Sequence, residues 1–426
     1  MTTTAPTART KTTKAKAGAA RVLLVSTDGH VGPSLTKDLR PYCEPGYLDE
    51  FDAFASGPRS PWTRQMPGFK VPESTLLAIE RTVECAGQND LAARLIDLDA
   101  EGIAAEVIFG GGQNGERIPF MGEGLGHVPG PGASEAELRA VGLGIYNRWL
   151  ADFVSAAPHR QIGLIHVPIW DIDASVREIE RGRAAGLRGV NFPAPRSAFP
   201  AFNSPIYEPF WSACESLDLP LCCHAGGGDD PLGTGDRGGF ALFGAEVNWL
   251  GRRGLWQLIF GGVFERHPGL KFVLTEQRAS WVTHTLAELD SIYLSDHAGG
   301  VRDELPRKPS EYWATNCFIG GSFIAAREVA MRHEIGLTNL MWGADYPHQE
   351  GTWPNTLLAI RHAFRDTPEA DARLILGENA LAVFDLDEAE LRRVAARIGP
   401  TPQQIAEPVT ELPEHRGLAF REGDFH

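Results

Sequence analysis

Short apolar runs recur along this chain, each bounded by Gly, Pro or polar residues, and several are followed by segments with helical periodicity. Two of the runs, 219–223 and 272–274, are almost continuously apolar, which is typical of strands buried on both faces of a parallel sheet. The pattern predicts eight strands, at 22–27, 104–109, 161–167, 188–192, 219–223, 270–275, 316–320 and 339–343. It predicts helices at 90–98, 134–156, 174–185, 207–217, 252–266 and 276–291.

This alternation of strands and helices predicts a distorted (β/α)8 barrel rather than a doubly wound sheet, which usually has fewer strands. We expect the barrel at residues 21–385, a disordered basic leader at 1–20, and a C-terminal helix with a tail at 386–426. Segments rich in Gly, Pro or aromatic residues interrupt the repeat as insertions near 40–75, 110–133 and 225–245. Each follows a predicted strand, where the loops that form the active site of such a barrel lie.

Charge and composition narrow the class of partner. The chain has 40 Lys and Arg against 55 Asp and Glu, and its formal net charge is −15. Because the first 21 residues are basic and contain no acid, the rest is more acidic still, which disfavours nucleic acids and anionic membrane surfaces. The six cysteines form no CxxC pair, and no apolar stretch approaches the roughly 20 residues of a membrane span. We therefore expect a cytoplasmic protein that acts on a small molecule.

Four predicted strands end in residues that bind metal ions or transfer protons. Asp28 and His30 are two positions apart, so both side chains project to the same side of the first strand. His224, Glu276 and Asp345 follow the fifth, sixth and eighth strands. Each alone has an ordinary alternative as a turn residue, a helix cap or a core histidine. Together at one end of a barrel they predict a divalent metal site, because carboxylates and imidazoles are its usual ligands.

The order and local context of these residues resemble the amidohydrolase superfamily. The likeness lies in Asp28-x-His30, in His224 after an apolar strand, in Gly262–Lys271 leading into Glu276, in Trp342–His348 and in Gly377–Ala380. It is greatest to the amidohydrolase-related branch that includes aminocarboxymuconate-semialdehyde decarboxylase, and it covers residues 22–385.

This resemblance implies a distorted (β/α)8 barrel with one divalent ion, Zn²⁺ or Mn²⁺, at its mouth. By resemblance, the ligands are Asp28, His30, His224 and Asp345, and Asp345 or Glu276 is the catalytic proton carrier. Many relatives have His-x-His or Glu-x-His in the first motif, and a carboxylate at Asp28 shifts the preference towards harder ions such as manganese. Relatives often dimerise, which leaves a homodimer open.

Besides Asp28, a second residue differs from the pattern of the family, and the expected type of reaction depends on it. Glu276 occupies the place of a catalytic histidine in the well-known decarboxylases, so their detailed mechanism does not transfer directly. We therefore expect hydrolysis of a small carboxylated or cyclic amide or ester by a metal-activated water. The alternative is non-oxidative decarboxylation of an aromatic or unsaturated carboxylic acid.

Four further residues are secondary candidates for substrate binding. His166 ends the third predicted strand, and His348 follows the Asp345 motif. Asn191 and Arg278 offer an amide and a forked guanidinium to a carboxylate or carbonyl group. Solvated or packing roles are the alternative for each of them.

Two other classes of protein compete with a metal enzyme. A non-catalytic barrel would bind a small ligand, but the full set of metal ligands disfavours it. A nicotinamide-dependent oxidoreductase would use the GxGxxG match at 110–115. That match follows the second strand and leads into more Gly and Pro instead of a helix, so we interpret it as part of a mobile lid.

Overall fold

Eight parallel strands form a single sheet in which neighbours pair in chain order. The computed structural model describes residues 20–57, 73–121, 133–229, 236–247 and 249–421. The strands are β1 Leu24–Val31, β2 Ile103–Gly110, β3 Gln161–His166, β4 Gly189–Asn191, β5 Leu221–His224, β6 Phe272–Thr275, β7 Cys317–Ser322 and β8 Leu340–Gly343. All eight overlap the strands expected from the apolar runs.

The sheet closes into a barrel where its first and last strands meet at the mouth. The Asp345 amide donates to the Asp28 carbonyl over 2.9 Å, and the His30 amide donates to the Tyr346 carbonyl over 2.7 Å. Gly29 and Tyr346 form a parallel bridge between these two bonds. The predicted (β/α)8 class is therefore confirmed.

Helices cover the outside of the barrel. They are α1 Leu48–Ala55, α2 Glu73–Glu84, α3 Leu91–Glu101, α4 Ala133–Ser155, α5 Ile172–Ala184, α6 Glu208–Ser216, α7 Gly239–Glu246, α8 Leu250–Phe260, α9 Val263–Arg266, α10 Trp281–Leu294, α11 Val301–Glu304, α12 Pro309–Asn316, α13 Ala326–Ala330, α14 Arg332–Ile335, α15 Thr356–Phe364, α16 Glu369–Arg373, α17 Asn379–Val383, α18 Glu388–Ile398 and α19 Pro402–Ala406. None of the described helices combines the length and apolar character that crossing a membrane requires. Residues 111–121 contain no helix, which agrees with the expectation that the GxGxxG match at 110–115 does not begin one.

Two predicted helices differ from the observed ones, and in both cases the backbone gives the reason. The helix expected at 252–266 is split into α8 and α9, because Gly262 adopts a left-handed φ of 66° between them. The helix expected from Glu276 begins only at Trp281. Glu276 and Arg278 have φ angles of 57° and 53°, which a right-handed helix does not allow.

The C-terminal region also differs from the prediction of one helix and a tail. It contains two helices, α18 and α19, and Leu391 of α18 packs in the apolar cluster that fills the barrel interior and its floor. The chain then returns towards the mouth, where Arg421 is buried. The leader at 1–19 and the insertion segments 58–72, 122–132 and 230–235 lie outside the described residues.

Candidate metal centre

The strand ends bring four of the predicted residues to one point at the barrel mouth. Asp28 and His30 are buried side by side on β1, where the pairing with β2 shifts register between Ser26 and Gly29. His224 is the last residue of β5. Asp345 lies two residues beyond β8 and is fully buried. Parallel strands all end at the same edge of a barrel, so residues far apart in sequence converge there.

The distances between these side chains are those of a shared centre. His30 Nε2 lies 3.2 Å from Asp28 Oδ1 and 3.2 Å from Asp345 Oδ1. His224 Nε2 lies 3.4 Å from Asp28 Oδ1 and 3.2 Å from His30 Nε2. Two imidazole nitrogens and two carboxylate oxygens therefore point at a common space.

Three oxygen atoms in this space have no hydrogen-bond partner among the described residues. They are Asp28 Oδ1 and both carboxylate oxygens of Asp345, and all three are buried. A buried carboxylate oxygen without a donor is costly, because it has lost its water without gaining a replacement. A divalent cation would compensate for that loss, so the residues present fit a metal ion.

The outer nitrogens of both histidines are held by backbone carbonyls. His30 Nδ1 lies 3.2 Å from the Gly110 carbonyl, and His224 Nδ1 lies 2.8 Å from the Ala225 carbonyl. A carbonyl accepts only, so Nδ1 carries the proton in each ring. Nε2 of each ring faces the centre, where release of its proton would leave the lone pair that a metal ligand needs.

His348 also reaches the centre. Its Nδ1 lies 2.9 Å from Asp345 Oδ1, and its ring stacks on that of His30 with centroids 4.0 Å apart. Its Nε2 lies 2.9 Å from the Gly111 carbonyl. The structure thus places this secondary candidate against the predicted ligands, in a cluster of potential metal ligands with His30 and Asp345.

Burial and neighbouring charges set the protonation of the ligands. Burial opposes ionisation of Asp28, but His224 and His30 hold the pKa of Asp28 below its usual range. Burial lowers the pKa of His224, yet the carboxylates of Asp28 and Glu276 raise it to about 10. Burial raises the pKa of Asp345 to about 7 against the opposing effect of His348. Ionisation of Asp28 and Asp345 is thus favoured by the positive charge close to them.

Glu276 lies at the edge of the centre. Its Oε2 is 3.2 Å from His224 Nε2, and its amide donates to the Gly320 carbonyl over 3.0 Å. Burial raises the pKa of Glu276 well above its ordinary value, His224 opposes that rise, and Asp345 adds to it. The surroundings of the centre therefore shift Glu276 towards its neutral, proton-bearing form.

Of the remaining secondary candidates, His166 belongs to none of the clusters of potential metal ligands within the described residues. Asn191 Nδ2 lies 3.2 Å from His166 Nδ1. Burial lowers the pKa of His166 to about 3, so this imidazole is neutral. Arg278 is half-buried two residues after Glu276. A neutral histidine and an amide suit a hydrogen bond to a substrate oxygen.

Sequence reasoning missed three contributors to this centre. The Ser322 hydroxyl at the end of β7 donates to Asp28 Oδ2. A carboxylate oxygen of Glu350 lies within 4.8 Å of carboxylate oxygens of Glu276 and Asp345. Arg94 donates to the His30 carbonyl over 2.7 Å from behind β1. Ser322 ends β7 and Glu350 lies in the loop after β8, so their positions in the sequence could have indicated a place at the mouth. No local feature of the sequence distinguishes Arg94.

Comparison with models of known protein families assigns this chain to one of them. A family model described as Amidohydrolase matches residues 120–386, more than half of the chain. The chain belongs to the amidohydrolase family. The expected resemblance is thereby confirmed, and the protein is an enzyme of this family. The matched stretch includes His224, Glu276 and Asp345, whereas Asp28 and His30 precede it.

One relative of this chain is named as a decarboxylase. The chain is 24% identical over 273 residues to the gamma-resorcylate decarboxylase of Rhodococcus jostii (strain RHA1), covering 57% of this chain and 75% of that protein.

Two solved structures share the fold. One is 5-carboxyvanillate decarboxylase from Sphingomonas paucimobilis, with 21% identity, a TM-score of 0.59 and coverage of 86% of this chain and 100% of that one. The other is a dihydroxybenzoic acid decarboxylase from Polaromonas sp. JS666 with bound manganese and the inhibitor 2-nitroresorcinol. It has 18% identity, a TM-score of 0.56 and coverage of 87% and 99%.

Proposed function

We propose that this enzyme is a metal-dependent decarboxylase that releases CO₂ from a small aromatic carboxylic acid without oxidation. The observation that carries the proposal is the group of unpartnered, buried carboxylate oxygens of Asp28 and Asp345 facing imidazole nitrogens. The three relatives described above are named as decarboxylases of aromatic acids. They favour this alternative over the hydrolysis expected from the sequence.

Asp28, His30, His224 and Asp345 would hold one divalent ion. Two carboxylates and two imidazoles without any thiolate form a donor set that suits Mn²⁺ at least as well as Zn²⁺. When bound, the ion would supply a Lewis acid that holds the substrate carboxylate and an adjacent oxygen. Ser322 would keep Asp28 oriented towards it.

The reaction needs one proton at the ring carbon that loses the carboxyl group. The carbon–carbon bond breaks, CO₂ leaves, and a C–H bond takes its place. Glu276 is our candidate donor, because burial raises the pKa of its carboxyl group, which favours the protonated form, and because it lies beside His224. About a fifth of its side chain remains exposed (19%), so solvent can return the proton. A carboxylic acid with a raised pKa would thus replace the histidine of the well-known decarboxylases.

His166, Asn191 and Arg278 are proposed to contact the remainder of the substrate. His166 and Asn191 end neighbouring strands β3 and β4, so a hydroxyl or carbonyl oxygen could bond to both. Arg278 would attract a second anionic group on the ring.

Metal analysis tests the centre independently of the substrate. Protein purified without chelator should contain one divalent ion per chain, His30→Ala and His224→Ala should lose it, and His297→Ala should retain it. His297 is exposed, so it serves as the matched control. A wild type that neither contains a divalent ion nor binds Mn²⁺ or Zn²⁺ in a titration would contradict the proposed centre.

A substrate panel tests the reaction. Hydroxylated and methoxylated benzoic acids should release CO₂, and in D₂O the product should carry deuterium at the carbon that bore the carboxylate. Amides, esters and lactones are assayed in parallel. Hydrolysis of any of them, with no CO₂ released from the whole panel of acids, would restore the hydrolase assignment.

A further inference from the structure

The C-terminal segment 415–421 lies beyond the family match, yet it contacts the loop that follows β8. His415 Nε2 lies 2.7 Å from the Gln349 carbonyl. The Leu418 amide donates to the Glu350 carbonyl over 3.1 Å. The loop held in this way carries His348 and Glu350, both of which border the metal centre.

Arg421, at the end of this segment, reaches the loop that follows β7. Its guanidinium donates to the backbone carbonyl of Phe323 and to the carboxylate of Glu328. The side chains of Arg421 and Glu328 are both fully buried. A buried guanidinium is stable only with such partners, so the two side chains depend on each other.

The Glu328 carboxylate extends the connection to the loop that follows β6. Its Oε1 accepts hydrogen bonds from the amides of Ala279 over 2.6 Å and Ser280 over 3.3 Å. Its Oε2 accepts a bond from the Ala325 amide over 2.9 Å. Hydrogen bonds to a charged acceptor are the strong ones. One carboxylate thus joins the C-terminal segment to the turn that begins at Glu276.

The loops held in this way contain strained residues. Glu276, Arg278 and Phe323 have φ angles of 57°, 53° and 57°, in the left-handed region that non-glycine residues rarely adopt. Such conformations persist only where the surroundings enforce them. Arg421 bonds to the carbonyl of Phe323 itself, and Glu328 bonds to the amide directly after Arg278.

We infer that Arg421 and Glu328 are positioning residues of the active site, through which the C-terminal segment holds Glu276 in place. Neither touches the metal ligands. Without them the turn 276–280 loses its charged anchor and relaxes away from its left-handed geometry. The catalytic consequence rests on the proposed role of Glu276, whereas the effect on the turn does not.

The test compares Arg421→Met with Arg332→Met in the manganese-loaded protein. Arg332 makes an ion pair with Asp371, 2.7 Å between Nε and Oδ2, in which the side chains are 15% and 17% exposed and which the mouth loops do not share. Arg421→Met should lower kcat by roughly 10- to 100-fold with KM within about threefold, because a misplaced proton donor slows chemistry more than binding. Amide hydrogen exchange at 276–280 should accelerate by about tenfold or more. Arg332→Met should alter neither quantity.

Two more variants keep the test decisive if Arg421→Met does not fold. Glu328→Gln preserves size but removes the charge, and Arg421→Lys preserves charge but cannot make both bonds as a fork. Each should reproduce the kcat effect. Unchanged kcat and unchanged exchange at 276–280 in a folded variant would overturn the inference. Accelerated exchange in a protein that never releases CO₂ would support the positioning role and reject the decarboxylase proposal instead.

Discussion

Replacing Arg94 by Met should reveal how strongly the barrel depends on a buried ion pair behind its metal-binding strand. Arg94 donates to Glu106 from Nε over 2.5 Å and from Nη2 over 2.8 Å, and both side chains are fully buried. Its Nη1 donates to the carbonyls of His30 over 2.7 Å and Gly87 over 3.0 Å. Methionine keeps the apolar stem, but the buried Glu106 carboxylate loses its cation and retains only the Gln161 amide as a donor, 3.0 Å away, and two carbonyls lose the guanidinium.

The expected loss follows from these contacts. Removing one partner of a buried pair costs about 3–5 kcal/mol, since the other charge stays desolvated. Each carbonyl left without a donor adds about 1 kcal/mol or more. We therefore expect Arg94→Met to lower the free energy of unfolding by at least about 5 kcal/mol. Because the His30 carbonyl loses its anchor, Mn²⁺ affinity should fall as well.

Urea unfolding of the metal-free protein measures the loss, with Arg40→Met as control. Arg40 makes the same forked pair with Asp52, at 2.7 and 2.8 Å, but the two side chains are 44% and 49% exposed. Exposed pairs contribute about 0–1 kcal/mol. Replacing both members of the pair by apolar residues, Arg94→Met with Glu106→Leu, should recover much of the lost free energy of unfolding. If Arg94→Met lowers the free energy of unfolding by no more than Arg40→Met does, burial does not determine how much the ion pair contributes, and the prediction is refuted.

Three further predictions concern the site and its support. Glu276→Gln should lower kcat by about 10²–10⁴-fold with the metal content unchanged; full activity would remove Glu276 as proton donor. Gly351→Ala would bring a Cβ within 2.5 Å of the Ala344 carbonyl oxygen, so its Tm should fall, whereas Gly244→Ala, with open space, should not lower it. The pKa of His166 in the folded protein, about 3, lies below its ordinary value of 6.5. The contribution of His166 to stability is therefore fully present above pH 6.5 and declines as the pH falls towards 3. The free energy of unfolding falls by about 1.4 kcal/mol per pH unit in that range. Urea titrations across that range should show a shallower acid dependence for His166→Asn.

The sequence determined the barrel because its strands have a local pattern. A strand buried on both faces must be apolar throughout, and a residue directly after such a run lies at the mouth wherever the run ends. Asp28, His30, His224 and Asp345 were identified in this way, and the structure brings them together. Their role as metal ligands stays a prediction until the metal is measured.

The tertiary structure alone decided what surrounds these residues. Ser322 and the Asp28 that it bonds are 294 positions apart, and Arg421 is 93 positions from Glu328. Neither pair leaves a trace in local hydrophobic periodicity. The left-handed turn at Glu276 is a similar case, because its local sequence favours a helix and distant residues, Glu328 and Gly320 among them, contact the observed turn. Short-range patterns fix strands and helices, whereas the stability of buried charges and strained turns depends on partners that only the folded chain brings into contact.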